Sequence, residues 1–423
     1  MQTKQDFVTE TEVRSSIVRN TLFLVGNSVV FAWVTQIVFV IAPIIVVEAT
    51  GSVALGGLAT ALVLSGDMPS NLYAGRLADT IGRKKTLLIG SILGFIGLLA
   101  MALSRLLLEL PLFWAGLFVF ALGTGFFVMN RTAMADMYPR NRGQGLGYLN
   151  TGNFVGSITA PVLIAGLTGL AVLAGIDYYD ILVLACLPIS VFAGILIALI
   201  RREPKLIAHF LDTSTSGSTE IHNSRRVSWV SGMHGKRDLL LLFIISSLSV
   251  GGVSIVLSLC PILLHSVGTE IGLISFSIAL ISVGTGGLAI ILGKLADKFG
   301  RRKCIFFGAI IMGIGLVLLP FTQNYVLISV ASFLVGLGGG AIAIASTALV
   351  CDMVAPNNRG KVLGTNSFVI NIFTFSLPPL AGILLTSSGP FSVSTLGAIV
   401  AAVVVLSMIL VSRRPVQGQP NCE

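Results

Sequence analysis

The sequence predicts an all-α membrane protein, with twelve transmembrane helices in two six-helix repeats. Three observations predict it. The chain has 423 residues, of which 54% are hydrophobic and only 11% charged, and its mean hydropathy is +0.94. The charged residues gather between long charge-free runs, and one charged turn occurs twice, 218 residues apart. A soluble domain carries roughly 25% charged residues. A shortfall of this size excludes an ordinary water-soluble enzyme, a disordered protein and a coiled coil. It leaves a chain whose solvent is the bilayer, where charges are costly.

The runs supply the spans in order. Free of Asp, Glu, Lys and Arg are 20–47, 49–66 (running on past Asp67 to Gly75), 86–104, 110–130, 143–176, 181–200, 239–269 and 271–293. Two longer runs, 304–351 and 362–412, divide at Thr322-Gln323-Asn324 and at Ser387-Ser388-Gly389-Pro390. A spanning helix needs about 20 apolar residues, so twelve helices follow. A transmembrane barrel would show ~10-residue segments of alternating polarity instead. The first 19 residues are polar and carry no apolar centre of a secretory signal.

Charge placement orients the spans. Twenty-five of the 27 Lys and Arg fall at the ends that share a side with the termini: before span 1 and after spans 2, 4, 6, 8, 10 and 12. Arg105 alone is on the other side, and Arg131 lies within span 4. Cytoplasmic loops hold the excess of Lys and Arg, so both termini are expected in the cytoplasm. The net charge of +9 then describes an inner membrane face and not a nucleic-acid binder. The five Cys are scattered without pairing or metal spacing and read as free thiols.

Gly75-Arg-Leu-Ala-Asp79-Thr-Ile-Gly82-Arg83-Lys-Lys85 after span 2 answers Gly293-Lys-Leu-Ala-Asp297-Lys-Phe-Gly300-Arg301-Arg-Lys303 after span 8, with seven of eleven positions identical. Asp136-Met-Tyr-Pro139-Arg-Asn-Arg142-Gly143 after span 4 echoes Asp352-Met-Val-Ala-Pro356-Asn-Asn-Arg359-Gly360 after span 10. The expected organisation is a first six-helix bundle over 1–200, a cytoplasmic linker over 201–238 and a second bundle over 239–423. The linker carries the flexible run Asp212-Thr-Ser-Thr-Ser-Gly-Ser-Thr. Its Arg225-Arg226-Val-Ser228 reads as a basic segment against anionic headgroups and only weakly as a kinase site.

In these doubled loops, the six-plus-six layout and the long central loop, nearly the whole chain resembles the major facilitator superfamily. The resemblance implies two halves that rock about a midplane substrate site. It also implies that Gly75, Asp79, Gly82, Arg83, Gly293, Asp297, Gly300 and Arg301, with Arg142 and Arg359, form charged gates. A partly exposed latch of about 1–3 kcal/mol biases two states without locking either. The bland alternative is a set of basic turns that only fix topology. Many proton antiporters of the superfamily place an Arg in span 4 four residues before a Gly-x-Gly. Here Gly123-Thr-Gly125 is preceded at that spacing by Val119. Span 5 is similar to that of drug antiporters, with Gly147, Gly156, Ala160 and Pro161 at the family spacing. The chemistry of such a run is close helix packing and a kink.

Asp67 is the acid clearly inside a span, and its repeat counterpart is Thr285. An intramembrane carboxylate is a functional candidate by default. Asp67 is expected to couple transport to protons, with Arg131 at similar depth as its partner. The competing readings are an ion pair that only fixes helix packing and direct contact of Asp67 with the substrate. Asn27, Gln36, Asn150, Asn153, Asn366 and Asn371 are candidates for the substrate cavity, or equally for interhelical hydrogen bonding. A largely apolar interior with one acid suits a hydrophobic, amphiphilic or weakly cationic organic solute better than a sugar. The expected function is therefore secondary active export of such a compound in exchange for protons. The alternatives are metabolite uptake by symport or uniport on the same fold, and a non-transporting membrane sensor. No nucleophile, metal or cofactor constellation is present, so an enzyme is not expected. The expected partners are a small-molecule substrate, the lipid bilayer and protons, with no cofactor, metal or nucleic acid, for a monomer in the cell membrane.

Overall fold

The computed structural model describes residues 10–138, 142–201, 203–204, 207, 233–321, 324–354 and 359–411. Pro139, His209, His222, the 212–219 run, Arg225 to Ser228, Pro356 and the tail from residue 412 lie outside the described residues, as do the side chains of Asp67, Arg142, His234, Asp297 and Arg359. The described chain is built of helices: α1 (Glu10–Thr50), α2 (Val53–Ser65), α3 (Asp67–Ile81), α4 (Arg83–Leu107), α5 (Leu110–Phe126), α6 (Val128–Met137), α7 (Arg142–Ala174) and α8 (Tyr178–Ala198). The second half adds α9 (Met233–Ser266), α10 (Ile271–Ser282), α11 (Ala289–Phe299), α12 (Arg301–Leu318), α13 (Tyr325–Met353), α14 (Arg359–Ser388) and α15 (Pro390–Leu410). Among the described residues, eleven stretches are long and apolar enough to cross a membrane, and Ile271–Gly287 is a shorter twelfth. They coincide with the twelve charge-free runs.

Three spans are not single helices. Span 2 ends as α2 at Ser65 and restarts as α3 at Asp67. The cause is Pro69, whose ring clashes with the carbonyl four residues earlier and which has no N–H to donate there. That carbonyl belongs to Ser65. In the first turn of α3 the missing N–H is harmless. Span 8 loosens into a π-helical segment over Val283–Gly287 between α10 and α11. Residue 284 is 218 beyond Gly66, so the two repeats interrupt the same span at the same level by different means. Span 4 breaks between α5 and α6 at Phe127, whose N–H bonds to the carbonyl of Thr124. The reading of span 2 as one helix with Asp67 in its interior is therefore corrected: Asp67 opens α3.

Packing divides the chain into two compact units that do not follow the repeat boundary. The first comprises Met1–Thr35, Gly66–Thr159 and Ile176–His222; the second comprises Gln36–Ser65, Ala160–Gly175 and Asn223–Glu423.

Within the first unit, Leu24, Leu87, Phe126, Met129, Met134 and Ile197 belong to one buried cluster. Helices α4 and α5 meet through glycines. A Cβ on Gly116 would lie 2.8 Å from the Gly97 carbonyl, and one on Gly123 would lie 2.6 Å from the Gly94 nitrogen. Lipid supplies no hydrophobic drive between helices, so close small-residue contact carries the association. The second unit repeats the device between α12 and α13. A Cβ on Gly315 would lie 2.7 Å from the Ala331 carbonyl, and one on Gly308 would lie 3.0 Å from that of Gly338. Gly90 and Gly97 map onto Gly308 and Gly315 at the same 218-residue offset as the charged turns.

The second unit also ties parts of spans 1 and 2 to the second repeat. Gln36 Nε2 donates to the Ser275 carbonyl at 3.1 Å. Glu48 Oε1 lies 2.9 Å from His265 Nε2. A Cβ on Gly57 would lie 2.6 Å from the Pro378 carbonyl, and one on Gly382 would lie 2.7 Å from that of Val53.

Candidate functional site

In the first unit the chain turns from α3 to α4 at Gly82, with φ 95° and ψ 163°. Only glycine adopts that conformation without strain. Arg83 then sits in reach of two acids: Nη1 is 3.2 Å from Asp79 Oδ1 and Nε is 3.1 Å from Asp136 Oδ2. The same guanidinium thereby joins the first charged loop to the second. Opposite the turn lies Glu203, just past span 6. Its Oε1 accepts the Arg83 N–H, and the Lys84 N–H is 3.3 Å from each carboxylate oxygen. A carboxylate here satisfies orphan donors at the positive end of α4. Lys84 Nζ reciprocates at the other helix end, donating to the carbonyls of Ala198 at 2.7 Å and Ile200 at 2.6 Å.

The turn of the second repeat has the same backbone and different surroundings. Gly300 has φ 94° and ψ 134°, but a Cβ there would meet open space. Arg301 Nη1 donates to the Ala348 carbonyl at 2.8 Å. Of the expected gate residues, Gly75 and Gly293 meet no neighbour, and the side chains of Asp297, Arg142 and Arg359 are not described. Glu203 is the residue of this turn that sequence reasoning missed. The signal was the string Arg201-Arg-Glu-Pro-Lys205, where a carboxylate precedes a proline at the end of a span.

Asp67 is the first residue of α3, where the helix dipole presents its positive end. Arg131 is exposed on α6, with no ion pair among the described residues. The cavity candidates separate by burial. Asn150 and Asn153 are exposed on α7 and Asn371 is half-buried. Asn27, Gln36 and Asn366 are 0%, 4% and 4% exposed and so lie within helix packing. Of the small residues of span 5, Gly156 packs hard, since a Cβ would lie 2.5 Å from the Val29 carbonyl, while Gly147 meets nothing. Nine residues at about 100° each place Gly147 on the opposite face from Gly156. Gly152, one turn before Gly156, makes the second close approach, to Val25. Pro161 is buried.

At the opposite ends of the spans, Arg105 is held by Asp177 Oδ2 at 2.9 Å and by Asp180 Oδ1 at 2.8 Å, tying α4 to α8. The first unit also contains a small apolar recess among spans 1, 3, 4 and 6, with a cavity volume of about 30 Å³. Phe31 and Phe127 form part of its wall and stack at 4.2 Å between ring centroids.

A family model for the Major Facilitator Superfamily matches residues 24–232 and 239–421. The chain belongs to this superfamily. It is similar to the MFS-type transporter YdeG of Bacillus subtilis (strain 168), with 21% identity over 95% of this chain and 94% of the relative. Multidrug resistance protein 1 of the same organism is 25% identical over 44% of this chain and 49% of its own length. Among solved structures, a D-xylose-proton symporter aligns with a TM-score of 0.67 at 17% identity, covering 95% of this chain and 96% of that one. The protein is therefore a multi-pass membrane transporter with the two-repeat fold, and not an enzyme. Its ligands are small molecules bound within the membrane.

Proposed function

We propose that this transporter exports a small hydrophobic or amphiphilic organic compound in exchange for protons, by alternating access of bundles 1–200 and 239–423. Both termini face the cytoplasm, and the chain resides in the cell membrane. The carrying observation is Asp67 at the break of span 2, an acid at the start of α3 inside an otherwise apolar run. An intramembrane acid is a candidate proton carrier by default, and a helix break at membrane depth is tolerated only where protein or water surrounds it. Similarity to Multidrug resistance protein 1, and to the class H tetracycline resistance protein of Pasteurella multocida at 23% identity over 35% of this chain, supports export. The gate at Arg83 supplies the bias between states, since Asp79, Asp136 and Glu203 hold it in the present arrangement.

Dye flux in proteoliposomes, with and without a pH gradient, tests the proposal. Extrusion driven by the gradient, lost in Asp67→Asn, is the expected result. Gradient-driven extrusion in that variant at the wild-type rate removes Asp67 from coupling. Net accumulation identifies an uptake system, and absence of any flux identifies a sensor.

A further inference from the structure

Buried polar atoms in helix packing are nearly always hydrogen-bonded. Asn27 on α1 is 0% exposed, and neither Oδ1 nor Nδ2 has a partner. Asn130 on α6 is 5% exposed, and its Oδ1 has none. These are not two separate anomalies. Phe31 stacks on Phe127, and the Thr21 hydroxyl lies 3.0 Å from the Tyr138 hydroxyl. Moving back along span 1 from Phe31 to Thr21 corresponds to moving forward along span 4 from Phe127 to Tyr138. That antiparallel register sets Asn27, four residues before Phe31, opposite Asn130, three residues after Phe127. Steps of three and four keep each amide on the same face as its phenylalanine. Two facing amides with three unpartnered polar atoms thus lie one turn from the recess whose wall the phenylalanines form.

The phenylalanines stand between the recess and the amides, and Phe127 sits at the break between α5 and α6. Its backbone is held to Thr124 and Asn130 across the break, so its side chain can change rotamer without moving either helix. The exposed surface of the recess is apolar, with Leu98 and Phe120 in its wall, and the hydroxyl residues Ser91, Thr124 and Ser190 also line it. An amide offers both a donor and an acceptor and carries no charge. The complementary ligand is therefore an uncharged aromatic amphiphile: a ring for the recess, joined to an amide, carbonyl or hydroxyl that pairs with the two asparagines.

We propose that Asn27 and Asn130, with the Phe31–Phe127 stack and the recess behind it, form a binding subsite within the first unit for the neutral polar group of an aromatic amphiphile. The proposal rests on the reading of the protein as an exporter of amphiphiles, and it adds a site inside one helical bundle with its own selectivity.

Equilibrium binding to the full chain in nanodiscs tests it without any transport step. The probes are radiolabelled acetanilide and n-butylbenzene, similar in size, the second lacking the amide, each corrected for uptake by empty discs. Wild-type protein is expected to bind acetanilide about tenfold or more in preference to n-butylbenzene. Asn27→Leu and Asn130→Leu are each expected to weaken acetanilide about tenfold and leave n-butylbenzene unchanged, with Asn27→Ser retaining most of the affinity. Phe127→Ala is expected to weaken both probes. Equal binding of the two probes by wild-type protein overturns the proposal, and that comparison needs no variant to fold. Unchanged acetanilide binding in both Leu variants, with raised thermal stability, also overturns it and leaves the pair as a packing defect. Loss of pH-driven efflux in Asp67→Asn bears on coupling alone and leaves this binding result untouched.

Discussion

At the scale of single residues, the two repeated turns share a backbone and differ in what surrounds it. A side chain at φ near +95° costs about 1–3 kcal/mol in either turn. At Gly82 a Cβ would also lie 2.8 Å from Glu203 Cδ, whereas at Gly300 it would meet nothing. Gly82→Ala is therefore expected to lower the thermal midpoint of the purified protein more than Gly300→Ala does. Equal losses would show that Glu203 yields freely and contributes nothing to the turn. Glu203→Gln keeps the shape and removes the charge from the start of α4, which is worth about 0.3–1 kcal/mol. Its expected signature is a transport rate changed about two- to fivefold with little loss of stability, read by dye flux. Asp79 and Arg83 were legible in the sequence because the turn occurs twice and places them four residues apart. Glu203 was not, because 120 residues separate it from Arg83 and no local pattern joins a loop acid to a distant helix start. The unpartnered amides were legible only as polar residues in a span. Asn27 was singled out, but Asn130 was passed over beside the more conspicuous Arg131.

The spans themselves were legible element by element, since charge and apolar length decide what crosses a bilayer. Where a span stops being one helix was not, because hydropathy is blind to backbone hydrogen bonding. In span 2 the signal was Pro69, four residues after Ser65. In span 8 it was weaker, the Gly284-Thr-Gly-Gly run, and the repeat offset is what links the two. Two predictions belong to this scale. Pro69→Ala restores the N–H and removes the ring, so α2 and α3 are expected to join. Turnover should fall severalfold while the thermal midpoint holds or rises. Gly286→Ala places its Cβ in open space and favours regular helix by about 1 kcal/mol. It is expected to raise the midpoint by a few degrees and slow turnover in the same assay. Unchanged turnover in both variants would mean that the interrupted spans are passive irregularities and that motion is absorbed elsewhere.

For the molecule as a whole, the sequence repeat and the physical packing partition the chain differently. The repeat divides it near the linker. Packing instead assigns Gln36–Ser65 and Ala160–Gly175, both from the first repeat, to the unit that holds the second. The first of these segments is bound by Gln36 to Ser275, by Glu48 to His265 and by Gly57 to Pro378, and the second packs against Gly272, where a Cβ would lie 3.0 Å from Ala165 Cβ. The boundaries fall at the span 2 break, between Ser65 and Gly66, and next to Pro161 in span 5. Under the alternating access proposed above, spans 1 and 7 are expected to part at the Glu48–His265 end once per cycle. A partly exposed pair such as this contributes on the order of 1 kcal/mol or less, enough to favour a closed end and too little to hold it shut. A tether that cannot break should therefore stop transport. Glu48→Cys combined with His265→Cys, in a background free of the five native cysteines, can be joined by a short bis-methanethiosulfonate, which attaches to each thiol through a reducible disulfide and releases sulfinate. Dye flux is expected to vanish on cross-linking and return on reduction, while each single variant keeps its flux under the same reagent. Flux that persists through a completed cross-link would mean that this end stays closed throughout the cycle. The substrate would then have to leave by a path that does not separate spans 1 and 7.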